Sequence, residues 1–326
     1  MGRHNKACRE ICGGGKVMAN YITVDGGTTN TRLTLVLNGK CVDTVRYNVG
    51  ARAGIDDGSL LKNAVKEGIM TLVERNKLNV GDIQRILASG MITSEFGLCK
   101  LDHLTVPAGI KELHGAMHEV VLLDISPIPF VFMRGVKTDA ASLENTDMMR
   151  GEETELLGLS DNLSGVYILP GSHSKIINVD SDGRIVDFKT MLTGEMLYSL
   201  SEYTILKSSV QLSGSDIDEE YLLKGYDYCN GHGINEALFK TRVLGNLFSA
   251  EKSQVYSFFM GVVLCQEVNS VIDLGPEKIT VGGKKQIKEA TVILLKKLTD
   301  SDIVSVPDET VDISSSMGMV RIFEYK

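Results

Sequence analysis

Asp25 closes a short apolar run, Tyr21–Asp25, and is followed at once by Gly26, Gly27, Thr28, Thr29 and Asn30. A carboxylate at a strand tip beside exposed backbone N–H groups suits a hydrated Mg²⁺ ion and phosphates. Glycine lets the backbone approach phosphate oxygens, and Mg²⁺ takes one or two carboxylates while keeping several waters. Asp and Gly also make plain turns, so the twin of this segment matters. Pro170-Gly171-Ser172-His173-Ser174 is a second small-residue loop, followed by Lys175, and a Gly282-Gly283 pair precedes Lys284. Ahead of the second loop stands Arg150-Gly151-Glu152-Glu153-Thr154-Glu155. Acidic residues packed this closely usually mark a solvated helix start, favoured by the macrodipole. Near phosphate loops they offer instead what phosphoryl transfer needs beyond positioning and charge neutralisation, a carboxylate that accepts the acceptor hydroxyl's proton.

These loops require particular elements around them. Tyr21–Asp25 reads as a buried strand, Thr31–Leu37 as a second, and Lys40–Tyr47 as a third. Asn38-Gly39 suits a type I′ hairpin turn, because both central residues need positive φ. Gly58-Ser59 caps a helix predicted from about Leu60 to Glu74. A dinucleotide-binding Rossmann unit sends its glycine-rich loop straight into a helix; here the loop lies inside a hairpin, which disfavours that fold. The same grammar returns later: strand Gly165–Leu169, loop, strand Lys175–Val179, turn Asp180–Gly183, strand Arg184–Lys189 and a helix from about Glu195. Two such copies point to a duplicated α/β fold with two lobes, each presenting a backbone-rich loop. Ser253–Asp273 reads as a long apolar helix, Lys278–Val281 as a strand, Lys284–Lys297 as an amphipathic helix and Ile303–Val306 as a final strand.

A length of 326 residues fits two domains, expected at 18–150 and 151–326 after a flexible extension over 1–17. The net charge of −8, with no dense basic run, speaks against nucleic acid. The N-terminus has no secretory pattern and no stretch reads as a membrane span, so a cytoplasmic protein without a membrane partner is expected. Six scattered cysteines predict reduced thiols. His4, Cys8 and Cys12 make a poor metal set, since Gly15 stands where a third Cys would be needed. Gly13-Gly14-Gly15-Lys16 lacks the Ser/Thr and the preceding strand of a P-loop.

The two hairpin loops and the Gly282-Gly283 turn resemble the two phosphate segments and the adenosine segment of the actin-like ATPase and sugar-kinase superfamily. That resemblance implies a two-lobed, ribonuclease H-like duplicated fold with an ATP cleft between the lobes. It assigns Gly26, Gly27, Thr28, Thr29 and Asn30 to the first phosphate loop, and Gly171, Ser172, His173 and Lys175 to the second. Gly282, Gly283 and Lys284 would back the adenosine, and Asp25 would serve Mg²⁺ and catalysis. Lys284 reads equally as a surface lysine at a helix start, and His173 as a hydrogen-bonder within its loop.

Met149–Gly158, Leu169–Lys175 and Leu192-Thr193-Gly194-Glu195 closely resemble the 2-dehydro-3-deoxygalactonokinase family, as does the GM-containing loop Ser89–Gly97. The likeness runs from about Tyr21 to the C-terminus, is strongest from Asp147 to Glu195, and is thin from Ser213 to Ser253. Leu98 stands where the family often has Trp, and the chain has no Trp. The resemblance implies transfer of the γ-phosphoryl group of ATP·Mg²⁺ to the terminal hydroxyl of 2-dehydro-3-deoxygalactonate. Glu152 is the expected base, with Glu153 as the close alternative. Met91, Ser94, Arg150 and Glu153 are the residues expected to face the sugar acid, Arg150 pairing with its carboxylate or with the acidic residues alongside. Another sugar or sugar acid, or a non-catalytic nucleotide-binding regulator, are the rival readings, and a homodimer is compatible with the chain.

Overall fold

Asn38 and Gly39 both adopt positive φ, 50° and 71°, and close the first hairpin as a type I′ turn does. The structure, a computed structural model, describes residues 19–56, 58–139, 141–161, 163–212, 216–283 and 285–326. The expectations for residues 1–17 and for Lys284 therefore lie outside the described residues.

Along the chain, β1 (Tyr21–Gly26), β2 (Thr31–Leu37) and β3 (Lys40–Tyr47) lead to α1 (Ala53–Asp56), α2 (Gly58–Arg75) and β4 (Arg85–Gly90). Short elements follow: β5 (Leu104–Thr105), α3 (Ile110–Gly115), β6 (His118–Val120), β7 (Phe130–Phe132), β8 (Val136–Lys137) and β9 (Met148–Met149), then α4 (Glu152–Leu159). The second run comprises β10 (Gly165–Leu169), β11 (Ser174–Val179), β12 (Ile185–Met191), α5 (Thr193–Tyr203), α6 (Glu219–His232), α7 (Ile234–Leu247) and α8 (Lys252–Ile272). It closes with β13 (Lys278–Val281), α9 (Lys285–Leu298), β14 (Asp302–Ser305) and α10 (Asp308–Glu324).

Two sheets share one strand order. The first runs β3-β2-β1-β4-β7-β6 and the second β12-β11-β10-β13-β14. In each, the third hairpin strand is outermost and the first strand lies beside a parallel neighbour, β4 for β1 and β13 for β10. The next pairs, β4 with β7 and β13 with β14, are parallel too. Only the antiparallel edge strand β6 lacks a counterpart in the second sheet. The duplication expected from the sequence is thus present strand by strand.

The chain divides into two compact units. One comprises the chain up to Ser164 with Val179–Asp187 and Glu309–Lys326; the other comprises Gly165–Asn178 and Phe188–Asp308. The sequence-based division at 150/151 differs from this, because α4 packs with the first unit and α10 returns to it. Ile22, Leu33, Val65, Leu72 and Phe130 are among the side chains that fill the first core. α8 runs through the second core with Phe259, Val262, Leu264 and Val268. It is the one helix among the described residues that is long and apolar enough to cross a membrane, and 83% of its apolar window is buried within the protein.

Glycines let helices touch through their backbones. In the first unit, a Cβ on Gly158 of α4 would lie 1.8 Å from the Ser314 carbonyl oxygen of α10, and one on Gly318 would lie 1.7 Å from the Thr154 oxygen. In the second, Gly225 of α6 and Gly261 of α8 leave 2.0 Å to Phe258 O and Leu222 O on the same measure. α10 is sealed further by Thr23 of β1, whose hydroxyl donates to Ser316 Oγ at 2.7 Å. Gly318→Ala has no room for its methyl, and the expected loss is about 3 kcal/mol, read as a fall in the urea midpoint of the transition that unfolds the first unit. Gly231→Ala in α6, where a Cβ meets nothing within 4 Å, should instead be neutral or gain up to about 1 kcal/mol from helix propensity.

Candidate active site

Three segments of the first unit converge without side chains between them. A Cβ on Gly90, which has φ 88°, would lie 2.5 Å from Gly26 O at the end of β1. One on Gly151, with φ 111°, would lie 3.1 Å from the Gly90 Cα. The ends of β1 and β4 and the start of α4 thus share one point, and they bring Asp25, Met91 and Glu152 to the same end of the sheet.

Asp25 sits opposite Arg32 in the β1–β2 register. Arg32 donates to Asp25 Oδ2 at 2.8 Å, and it also reaches the Asp312 carbonyl of α10 at 3.1 Å. The Asp25 side chain is one-third exposed, and Arg32 orients its Oδ2. The loop that follows is held from behind: Gly27 N donates to Asn30 O at 2.8 Å, Ala51 N to Gly27 O at 3.0 Å and Arg52 N to Thr28 O at 2.9 Å. Thr28, Thr29 and Asn30 are exposed. A partly exposed carboxylate beside threonine hydroxyls is a set of hard oxygen donors, which fits a Mg²⁺ ion that retains most of its water.

Glu152 and Glu153 lie side by side but in opposite environments. Glu152 is partly exposed and its Oε2 accepts the Arg150 N–H at 3.0 Å. Glu153 is 0% exposed. Its two oxygens accept the Gly151 N–H at 2.9 and 2.8 Å, and the Ser89 hydroxyl lies 3.4 Å from Oε1. Burial, with the adjacent Glu152 charge, pushes the Glu153 pKa up to about 8. The expectation that Glu153 faces a substrate is therefore corrected: no surface of it reaches solvent, and it holds the first turn of α4 in place.

Arg150 is corrected in the same way. Its Nη1 donates to Thr93 O at 2.9 Å and to Thr93 Oγ1 at 2.7 Å, while Nη2 donates to Leu101 O at 3.0 Å and lies 3.3 Å from His103 Nδ1. One arm of the fork is engaged by Thr93 of the GM loop and the other by Leu101 and His103 of the chain that follows it, leaving no bidentate face for a ligand carboxylate. His103, half-buried beside this guanidinium and Lys137, has its pKa lowered to about 4, burial being the larger cause, and so stays neutral as an acceptor. Met91 begins a 3₁₀ turn, Met91–Thr93, and is partly exposed. Ser94 follows it, and its Oγ is buried without a hydrogen-bond partner among the described residues. Leu98 packs against the first unit's core, so the side chain that departs from the family pattern points inward.

In the second unit the Pro170–Ser174 loop is clasped on both sides. Gly194 N donates to Gly171 O and Glu195 N to Ser172 O, each at 3.1 Å, from the start of α5. Gly283, at φ 70°, lies against Pro170, whose oxygen would be 2.3 Å from a Cβ there. Gly282 N donates to Ile168 O at 2.9 Å. The predicted adenosine turn and the second loop are therefore adjacent. His173 Nε2 lies 3.1 Å from Glu195 Oε1 at the surface. Lys175 is 3% exposed and its Nζ donates to His173 O at 3.2 Å, so it acts as an internal brace of the loop rather than the phosphate-facing cation expected. Gly171 differs from its neighbours: a Cβ there would meet nothing nearer than 4.0 Å. Sequence reasoning missed Arg32, which the hairpin register could have supplied, and Glu267, for which no sequence signal exists.

A repeated strand order, each copy with its small-residue loop between the first two strands, defines the fold of actin-like ATPases and sugar kinases. A solved structure from Sinorhizobium meliloti, provisionally named a 2-dehydro-3-deoxygalactonokinase, superposes with a TM-score of 0.74 at 20% identity, over 93% of this chain and 97% of that one. Xylulose kinase from Lactobacillus acidophilus superposes with a TM-score of 0.53 at 12% identity, over 94% and 89%. The chain belongs to the 2-keto-3-deoxy-galactonokinase family of carbohydrate kinases, whose model matches residues 25–309. It is 29% identical over 258 residues to the 2-dehydro-3-deoxygalactonokinase of Escherichia coli K12, covering 78% of this chain and 81% of that protein.

The buried Glu153 makes stability depend on pH. Its folded-state pKa of about 8 lies above the ordinary 4.5, so between those values the folded chain holds a proton that the unfolded chain has lost, and stability falls as pH rises through that window. Glu153→Gln, which is neutral throughout, should match the wild type near pH 5. Its advantage should then grow by at most roughly 1.4 kcal/mol per pH unit towards pH 8, measured by urea unfolding at both ends.

Proposed function

We propose that this chain transfers the γ-phosphoryl group of ATP to the terminal hydroxyl of 2-dehydro-3-deoxygalactonate, giving the 6-phosphate, as a cytoplasmic enzyme of sugar-acid catabolism. The observation that carries the reading is the contrast between the paired glutamates. Glu153 is buried and held neutral, while Glu152 is accessible at the start of a helix that glycine contacts fix beside Asp25. A general base must reach the proton it removes, and only Glu152 of the pair can.

Glu152 accepts the hydroxyl proton as the new P–O bond forms; its backbone is held by the contact of Gly151 with Gly90, and its carboxylate is oriented by the Arg150 N–H. Each unit carries its own candidate phosphate loop: Thr28, Thr29 and the backbone of Gly26 and Gly27 offer donors in the first, and Gly171 and Ser172 offer them in the second. Mg²⁺, held through Asp25, would supply the neutralisation of charge that phosphoryl transfer requires. Arg32 keeps the Asp25 carboxylate turned while the side chain stays one-third exposed. Met91, partly exposed in the GM loop, and Ser94 beside it are the residues of that loop proposed to line the sugar-acid site. Arg150 contributes by fixing that loop.

A coupled assay of ADP release across sugar acids tests the reaction. Turnover is expected with 2-dehydro-3-deoxygalactonate, and activity confined to a different acid would overturn the acceptor while keeping the kinase. Glu152→Gln should lower kcat by at least about 10²-fold and leave ATP affinity within a few-fold; unchanged turnover would move the base elsewhere. Gly171→Ala adds a methyl where the fold has room but a phosphate would approach. Its expected effect is a weakening of ATP by about tenfold at unchanged melting temperature.

A further inference from the structure

α8 is an apolar core helix with one residue out of character. Glu267 lies in it at 1% exposure, surrounded by the second unit's core. It accepts a hydrogen bond from Thr193 Oγ1 through Oε2, and Ser174 also hydrogen-bonds its carboxyl. Burial raises its pKa, against the two hydrogen bonds from Thr193 and Ser174, and no charged group contributes to that shift, so the carboxyl sits without a counter-ion. Oε1 has no hydrogen-bond partner among the described residues. A leucine would cost the helix less, which means the carboxyl is kept for what it holds.

What it holds is both ends of one loop. Ser174 closes the Pro170–Ser174 loop, and its Oγ accepts the Gly171 N–H at 3.3 Å. Thr193 begins α5, whose next two residues, Gly194 and Glu195, donate their N–H groups to Gly171 O and Ser172 O. One buried carboxyl therefore ties the loop's exit and the helix that clasps the loop to the same point on α8. A phosphate cradle works only if its backbone amides are aimed before the ligand arrives, and the bonds to Gly171 and Ser172 from Ser174 and from the start of α5 lead back to Glu267 within one or two steps.

We propose that Glu267 is a positioning residue of the nucleotide site, setting the geometry of the Pro170–Ser174 loop through Ser174 and Thr193. The inference rests on reading that loop as a phosphate cradle. Glu267→Gln preserves shape and a side-chain oxygen acceptor and should keep ATP affinity within about twofold. Glu267→Leu fills the same core space without the bonds and should weaken MgATP binding about tenfold or more, measured by calorimetric titration, while the KM for the sugar acid stays within about twofold. Thr193→Val removes one bond with little change in volume and should weaken MgATP by a smaller factor; it decides the matter if the leucine variant does not fold.

Unaltered MgATP affinity in Glu267→Leu, or in Thr193→Val where it stands in, overturns the proposal. So does an equal loss in Glu267→Gln, or a parallel rise in both KM values. The Gly171→Ala variant separates the two levels. If it too binds MgATP normally, the cradle itself is misplaced; if it binds weakly while Glu267→Leu binds normally, only the role of Glu267 falls.

Discussion

Close backbone approach at glycine is the constraint on which this protein depends. Gly26, Gly90 and Gly151 let two strand ends and a helix start meet with no side chain between them, and Gly158 and Gly318 let α4 and α10 touch along their length. α4 is consequently fixed at its first turn and at its middle, which determines where the carboxylate of Glu152 stands. The second unit solves its own problem in the same way, with Gly194 against the Gly171 carbonyl, Gly283 against Pro170, and Gly225 and Gly261 at the α6–α8 crossing. A larger residue at most of these points would have to displace a carbonyl oxygen, and at Gly26 the Ile92 Cβ, and rigid packing offers it nowhere to go.

Environment, rather than residue type, sorts the acidic groups into roles. Asp25 is ion-paired and one-third exposed, Glu152 is accessible, and Glu153 and Glu267 are sealed in with raised pKa values. The two accessible groups are suited to a metal and a proton. The two sealed ones act as hydrogen-bonding staples, one per unit, each tied to the first turn of a helix that borders a loop. Burying an acid is costly unless it is bonded, and both are bonded to helix-start or loop groups whose position they set.

The hairpins, their turns and the repeated order of elements were legible because alternation, turn residues and small-residue loops are local properties. α10 was not: it is buried continuously from Ser314 to Val320, with serines and a glycine set among Met317, Met319 and Val320, so its apolar residues form no one-sided helical stripe to read. α6 and α7 also passed unread, since they lie in the segment where family likeness is thin. The partners of Arg150 are 47 to 57 residues away in Thr93, Leu101 and His103, and no pattern near Arg150 announces them. Glu267 and Thr193 are 74 residues apart; within an apolar helix a lone acid gives no hint of what it will meet. Sequence spacing thus located the loops and misjudged the side chains around them, because loops are specified by neighbours and side-chain contacts by the whole fold.

The return of α10 to the first unit has a bearing on biosynthesis. Chains emerge from the ribosome N-terminal end first and domains commonly fold as they appear, yet here the first unit receives its last helix only after every residue of the second has been made. Until then the groove between Gly158 and Thr154 of α4 is uncovered, and Thr23 lacks its Ser316 partner. The nascent first unit must wait, open along one helix face, while the unit encoded within it completes its own core.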